Sequence, residues 1–455
     1  MSHQLDFKRI PKVPELRNRL LFTLAMLAVY RIGVYISIPG MDRAAMADYL
    51  GQNTQGAGGF LNMFNFLAGG ALEQLSIFAL GIMPYITASI ILQIAGVLYP
   101  PLERIKKEGE AGRKKINQLT RYFTLVLALV QGTALARGLN ALTNQEVVRD
   151  TGMSSVFLIV LTLTAGTAFL MWLGEEITAK GVGNGISLLI MAGIVAGLPS
   201  ATYTTIEAAF VTQNNSFGPV NLLVLLGIML AIVAAIVYVE RGQRRLPVQY
   251  ARRAVGGGMI SSQSSHLPLK VNTSGVIPPI FASSLLMFPG MFASYLGPEM
   301  QSAVQAATAP GTWIYNVIYT VMVIFFAFFY TDIMFNPVDM SDNLKKQGGF
   351  VPGVRPGAPT AIHINWVLKR VTTGGALYLA VVCLVPFAVT EWFPGVNFYF
   401  GGTGLLIVVG VALDTVMKIQ SYLISAQYDE FSVDSSDRPR LSARIDELEG
   451  ANSPS

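Results

Sequence analysis

Ten stretches of this chain are each apolar over about the thickness of a lipid bilayer, and no other feature limits its possible folds so strongly. They run approximately over residues 20–38, 75–98, 119–138, 154–174, 183–199, 219–239, 272–292, 312–331, 371–391 and 402–424. A bilayer-spanning helix needs about 20 mostly apolar residues. Charged residues make up 13% of the chain and hydrophobic ones 52%, against roughly 25% charged in an ordinary soluble domain. The sequence predicts an all-α polytopic membrane protein with ten transmembrane helices.

The lysines and arginines orient it, because basic residues concentrate in cytoplasmic loops. With the N-terminus inside, residues 1–19, 99–121, 174–182, 240–271, 332–370 and the tail from 418 face the cytoplasm, and they hold 28 of the 32 basic residues. Arg43, Arg137 and Arg149 fall outside, and Arg31 lies within the first span. Both termini are expected in the cytoplasm. The run after Arg19 is too long for the core of a cleaved signal peptide, and no small-residue cleavage site follows it.

The spans divide into an N-terminal half over 20–199 and a C-terminal half over 219–424, joined outside by 200–218 and followed by a tail over 425–455. No strong repeat relates the halves. Two cytoplasmic loops, 240–271 and 332–370, are too long for plain connectors, and long structured loops usually carry function. The tail beyond Phe431 is polar and net acidic, with the composition of a segment that lacks a core. On the outer side, "QNTQGAGGFLNMFNFLAGG" (52–70) has glycines towards both ends and an apolar middle too short to span. It reads either as a re-entrant helix covered by protein or as an amphipathic helix on the membrane surface.

Three spans carry residues that a passive lipid-facing helix does not need. In "SIFALGIMPYITASIILQ" (76–93), Ile82, Ile86, Ser89 and Gln93 fall within a narrow arc at 100° per residue. Gly81 and Pro84 are expected to loosen the same helix. "GVGNGISLLI" (181–190) opens the fifth span with three glycines, followed by Ile186 and Ile190. "SGVIPPIFASSLLMFPG" (274–290) sets Pro278 and Pro279 ahead of Ile280, Ser283 and Ser284, and a double proline bends or breaks a helix. Two readings stay open from the residues alone. Such helices wall a water-filled vestibule that narrows to an apolar waist, or they are buried helices using small and polar residues as interhelical glue.

Chemistry-bearing motifs are missing. No HExxH, GxSxG or P-loop pattern occurs, and His3, His266 and His363 all fall in cytoplasmic segments. The lone cysteine, Cys383, lies in an apolar run and can form neither an internal disulfide nor a Cys/His metal set. The expectation is no enzyme activity, no cofactor and no metal. Arg31 and Asp414 are the few ionisable groups deep in spans, whereas ion-coupled transporters line their pathway with several. Asp414 is expected to bond a neighbouring helix. A solute transporter and a non-conducting scaffold are the alternatives to a channel.

Eight motifs in order carry a resemblance. They are "PELRNRLLFTL" (14–24), "SIFALGIMPYITASII" (76–91), "KKEGEAGRKKINQLTRY" (106–122), "GVGNGISLLI", "QRRLPVQYARR" (243–253), "HLPLKVNTSGVIPPIFASS" (266–284), "FNPVDMSDNLKKQGGFVPGVRPG" (335–357) and "FGGTGLLIVVGVALDT" (400–415). Over roughly Val13 to Phe431 the chain resembles the SecY family, the pore subunit of the bacterial Sec protein-conducting channel. The resemblance implies two five-helix halves around a central pore in the bacterial cytoplasmic membrane, passing unfolded secretory polypeptides across and releasing membrane segments sideways into lipid.

It also implies roles by position. Ile82, Ile86, Ile186, Ile190, Ile280 and Ile407 match the family's ring of aliphatic side chains at the waist, where bulky apolar groups resist wetting. The segment at about 58–72, with Phe60, Leu61, Met63, Phe64, Phe66 and Leu67, matches its plug. Pro84, Thr87, Pro278, Pro279, Ser283 and Ser284 match its lateral gate, where replaceable polar contacts are expected between the lips. Arg244, Arg245, Arg252, Arg253 and Arg355 match the docking loops for the ribosome and the SecA motor ATPase, since the guanidinium fork suits RNA phosphate and carboxylate alike. Implied partners further include small SecE-type and SecG-type membrane subunits, signal sequences, nascent polypeptides and the lipid bilayer. Two stretches depart from the family pattern: "AVGGGMISSQ" after Arg253 has glycines where basic residues are expected, and the acidic tail has no counterpart.

Overall fold

The computed structural model describes residues 13–52, 61–62, 64–66, 68–140, 152–210, 218–250, 254–255, 258–259, 264–292, 304, 312–392 and 402–435. Each of the ten apolar runs falls on one helix. The first lies on α1 (Pro14–Val34), which is followed by a short α2 (Arg43–Gln52). The second lies on α3 (Met83–Leu98), which turns by 104° at Tyr99 into α4 (Pro100–Lys107). Then come α5 (Glu110–Asn140), α6 (Met153–Lys180), α7 (Gly185–Phe210) and α8 (Pro219–Glu240). The C-terminal half continues with α9 (Ile277–Phe292), α10 (Trp313–Met334), a short α11 (Pro337–Lys346), α12 (Ala358–Trp392) and α13 (Gly402–Ser435). Among the described residues seven helices are long and apolar enough to cross a membrane, or eight if the bent pair is one span. The first helix carries Arg17, Arg19 and Arg31, and the seventh is a shorter apolar helix.

Three differences from the sequence expectation have physical causes. Residues 68–82 form successive turns rather than the start of a helix, because Gly69, Gly70 and Gly81 hold left-handed φ of +70°, +80° and +58°. The second span therefore begins at Met83. The fifth span does not end at 199: α7 runs on to Phe210 with Pro199 inside it. The last helix likewise continues to Ser435, four residues past Phe431, and the rest of the acidic tail lies outside the described residues.

The all-α expectation holds for the membrane region but not for its basic face. Loop 240–271 is a β-hairpin of β1 (Gln243–Tyr250) and β4 (Ser264–Lys270), with two-residue strands β2 (Ala254–Val255) and β3 (Gly258–Met259) paired at its tip. Leu246 and Val248 are buried between exposed neighbours, which is the alternation of a half-buried strand. A third short strand, β5 (Gly349–Phe350), adds to β1 from the other long loop, giving the order β4-β1-β5. The sheet, α11 and the start of α12 share a small apolar core of Leu246, Val248, Leu269, Leu344, Ile364 and Val367. Two loops far apart in sequence thus make one module.

Within lipid, close packing rather than water exclusion holds helices together. α5 packs along both α3 and α6, and α10 along α9 and α12. The halves meet at two places. On one side α9 lies against α3 and α5, and on the other α13 lies against α7 and α1, and α8 against α7. The α8 span is only 11% buried, so it faces outward.

Candidate functional site

The waist is assembled from both halves. Gly81 ends the run of turns and Ile82 caps α3, its carbonyl accepting the first helical bond from Ile86 N at 3.1 Å. Ile82 and Ile86 are therefore one turn apart at the start of a helix, not in the middle of one. Together with Ile190 of α7 and Ile280 of α9 they line a cavity of about 10 Å³ that also touches Tyr30, Ala68, Met83 and Leu189. That is roughly the space one water needs, and a water needs two or more polar partners to stay. The lining offers little beyond the Tyr30 hydroxyl, which points at Ala68 O from 3.5 Å. Ile186 does not line this cavity; it packs against Gly174 of α6. Ile407 is 2% exposed in the common core and is not on the lining either.

The re-entrant segment is covered by protein, which removes the surface-helix reading for its described part. Phe64 and Ala68 are each 2% exposed, while Leu61 and Phe66 are partly buried against the same core. Phe60, Met63 and Leu67 lie outside the described residues. Arg31 of α1 donates from Nη1 to Gly69 O at 3.1 Å. Asn65 accepts from Glu73 N at 2.9 Å and donates back to its carboxylate at 3.3 Å. A Cβ placed on Gly69 would lie 2.5 Å from Gly193 Cα of α7, and one on Gly404 of α13 would lie 2.7 Å from Phe66 Cζ. Glycine at these two positions lets the segment sit against three spans. On its other side opens a cavity of about 580 Å³ with a polar rim that includes Arg31, Asn62, Asn65, Glu73, Ser200 and Thr204. Apolar waist, covered segment and a wide cavity lined by both apolar and polar residues follow one another.

The seam between α3 and α9 differs from expectation in two ways. Pro84 and the pair Pro278–Pro279 occupy the first turns of their helices, where the missing N–H had no helical partner anyway. They start the helices rather than breaking them. The hydroxyls of Thr87, Ser283 and Ser284 donate to carbonyls of their own helices, Met83 O at 2.9 Å and Ile280 O at 3.0 and 2.7 Å. A serine or threonine hydroxyl in a helix can share the carbonyl oxygen one turn back and so satisfy itself locally. Gln93 likewise bonds Ser89 at 3.0 Å. Among the described residues, these side chains bond within their own helices and not from one lip to the other.

The basic module presents its arginines on a stiff frame. Arg244 and Arg245 are exposed on β1, opposite Leu269 and Pro268. Arg355 is exposed in a turn between Gly353 (φ +82°) and Gly357 (φ +102°). Thr360 Oγ1 clamps the Arg355 carbonyl at 2.8 Å, and Ser341 Oγ clamps Gly357 O at 2.7 Å. Arg252 and Arg253 lie outside the described residues. Asp414 is not deep in the membrane bundle. Its carboxylate is exposed and pairs with Lys270 of β4 at 3.6 Å rather than with a neighbouring helix. Sequence reasoning missed Arg31 and Tyr30 as anchors of the re-entrant segment; the signal was an arginine left inside an apolar run.

A family model named SecY matches residues 76–416. The chain belongs to the SecY family. It is 49% identical to "Protein translocase subunit SecY" of Escherichia coli (strain K12) over 420 residues, covering 91% of this chain and 93% of that one. The counterpart of Streptomyces scabiei is 45% identical over 440 residues, covering 93% and 99%. Among solved structures, one described as "The structure of a protein conducting channel" aligns with a TM-score of 0.58 at 16% identity over 93% of this chain and 98% of that one. Another, concerning the plug domain of SecY in its closed channel, aligns with a TM-score of 0.61 at 15% identity over the same shares. At such identities these structures bear on the fold alone.

Proposed function

We propose that the chain is the pore subunit of a protein translocase, a passive conduit closed at rest by the isoleucine waist and the re-entrant segment beneath it. The observation that carries this is the meeting of Ile82, Ile86, Ile190 and Ile280, from three spans in both halves, around space for a single water against Ala68. Apolar side chains at a constriction exclude ions without making specific bonds, so they can part around an extended polypeptide of any sequence. Ile186 and Ile407 would join the ring as it widens. The α3–α9 contact is the lateral gate in this reading. With its hydroxyls bonded within their own helices, opening it costs packing but no cross-seam hydrogen bond, so a bound apolar signal helix can shift the balance. The basic face, with both termini, lies in the cytoplasm of a bacterial inner membrane. Arg244, Arg245 and Arg355 meet the ribosome or the SecA motor, and SecE-type and SecG-type subunits complete the assembly.

The test exploits the single cysteine. Replace Cys383 by serine, introduce cysteine at Ile86, and arrest a secretory polypeptide carrying one cysteine in the membrane. Disulfide formation at Ile86, and none at the exposed Val126 of α5, is the expected result. An arrested substrate that links to neither Ile86 nor Ile190 would refute the waist.

A further inference from the structure

The six residues between the hairpin and the gate helix are wedged into the C-terminal half by contacts that neither the pore nor docking requires. Val271 N closes the base of the hairpin on Gly242 O at 2.9 Å. Asn272 is 3% exposed and uses its whole amide. Its Nδ2 donates to Glu240 Oε1 at the end of α8 (2.6 Å) and to Gly275 O (3.0 Å), and its Oδ1 accepts from Ser274 Oγ at 3.1 Å. Thr273 Oγ1 meets Thr331 Oγ1 of α10 at 3.1 Å. Thr331 already donates to Ala327 O, so Thr273 is the donor. A Cβ on Gly375 of α12 would fall 2.6 Å from Val271 O, and one on Gly410 of α13 would fall 2.5 Å from Val276 Cγ1. Residue 275, in the left-handed region at φ +64°, then turns the chain into α9, which reaches the waist at Ile280.

We infer that Asn272 is a positioning residue that couples the basic hairpin to the gate helix. This rests on the docking reading given above. A short amide–carboxylate bond whose amide is buried is stiff and poorly replaced by water. Because the same amide holds both Glu240 and Gly275, a tilt of the hairpin cannot be absorbed in the connecting turn. It is passed to the first turn of α9, with α10, α12 and α13 as the fulcrum. Without Asn272 the hairpin can bind its partner while the turn at Gly275 flexes and α9 stays in place.

The experiment uses the chain assembled with its membrane subunits in lipid vesicles, with Cys383 replaced by serine. Spin labels go on Ile91 of α3 and Leu285 of α9, both exposed on the two lips. The probe is the purified SecA motor, and both its affinity and the label–label distance are read. Addition of the motor is expected to shift the open-to-closed ratio at least about fivefold in the parent, the low end of ordinary coupling. N272A is expected to keep the resting distance and the affinity but lose that shift. Should N272A misassemble, the charge-conserving pair N272D with E240Q rebuilds an amide–carboxylate bond in the reverse sense and should recover part of the shift that N272D alone loses. A shift as large in N272A as in the parent, at unchanged affinity, overturns the coupling. Motor binding that is indifferent to R244A and R245A overturns the docking reading and the coupling with it.

Discussion

Adding one methyl group at Gly69 should unseat the re-entrant segment, and the same change at Gly70 should do so far less. Both glycines are left-handed, at φ +70° and +80°. An L-residue pays about 1–2 kcal/mol there, a penalty that counts against the seated conformation because a released segment can relax. Strain alone should therefore shift the seated-to-unseated balance in Gly70→Ala about 5- to 30-fold, at roughly 1.4 kcal/mol per decade. The added Cβ meets nothing within 4 Å at Gly70, whereas at Gly69 it lies 2.5 Å from Gly193 Cα and 2.9 Å from the Tyr30 hydroxyl. Backbone cannot rotate aside, so overpacking adds about 1–3 kcal/mol. The sum for Gly69→Ala, about 2–5 kcal/mol, corresponds to a shift of about 30- to several-thousand-fold. Vesicles holding the assembled complex and a trapped halide-sensitive dye would report the leak. A leak raised about 5- to 30-fold for Gly70→Ala, and a much faster one for Gly69→Ala, is expected. Equal leaks would refute the clash argument, and a tight Gly69→Ala would mean the segment is not the seal.

Three further outcomes follow from the same geometry. Gly404→Ala puts a Cβ 2.7 Å from Phe66 Cζ, so it should raise the leak, and Phe66→Leu should reverse this because the shorter side chain frees the space. Ser283→Ala with Ser284→Ala removes two hydroxyls that bond only Ile280 O. Thermal unfolding should change by less than about 1 kcal/mol and translocation should persist; a several-fold slower rate would show the hydroxyls serving the open seam. Asp414→Asn breaks an exposed pair with Lys270, worth about 0–1 kcal/mol. Secretion should therefore be unchanged, and an ion-dependent solute flux abolished by this change would revive the transporter reading.

How far the site could be read from sequence differs from residue to residue. Ile82 and Ile86 were visible through their four-residue spacing, because helical periodicity survives in any environment, whereas Ile190 and Ile280 were assigned to the waist only through the family resemblance. The prolines misled. A proline weakens a helix interior but fits the first turn, and where the first turn lies depends on where the preceding turns end. For α3 that point is Gly81, whose left-handed φ is a property of the folded chain. The gate hydroxyls misled for a related reason, since serine and threonine can bond across a seam or back along their own helix with the same residue pattern.

By itself the sequence determined the membrane class, the ten helical segments and the uneven distribution of basic charge among the loops. Each rests on a local quantity, the length of an apolar run or the count of lysines and arginines beside it, which the bilayer reads segment by segment. Only the tertiary structure decided that four isoleucines from α3, α7 and α9 share one water-sized space, and that Phe64 is buried rather than laid on the membrane surface. It also joined loops a hundred residues apart through the pairing of Gln249 with Phe350. The contacts among the spans join segments whose apolar faces are chemically alike in lipid, so partner choice there comes from shape. Small residues such as Gly69, Gly193 and Gly404 set that shape by allowing backbones and rings to approach where any other side chain would not fit.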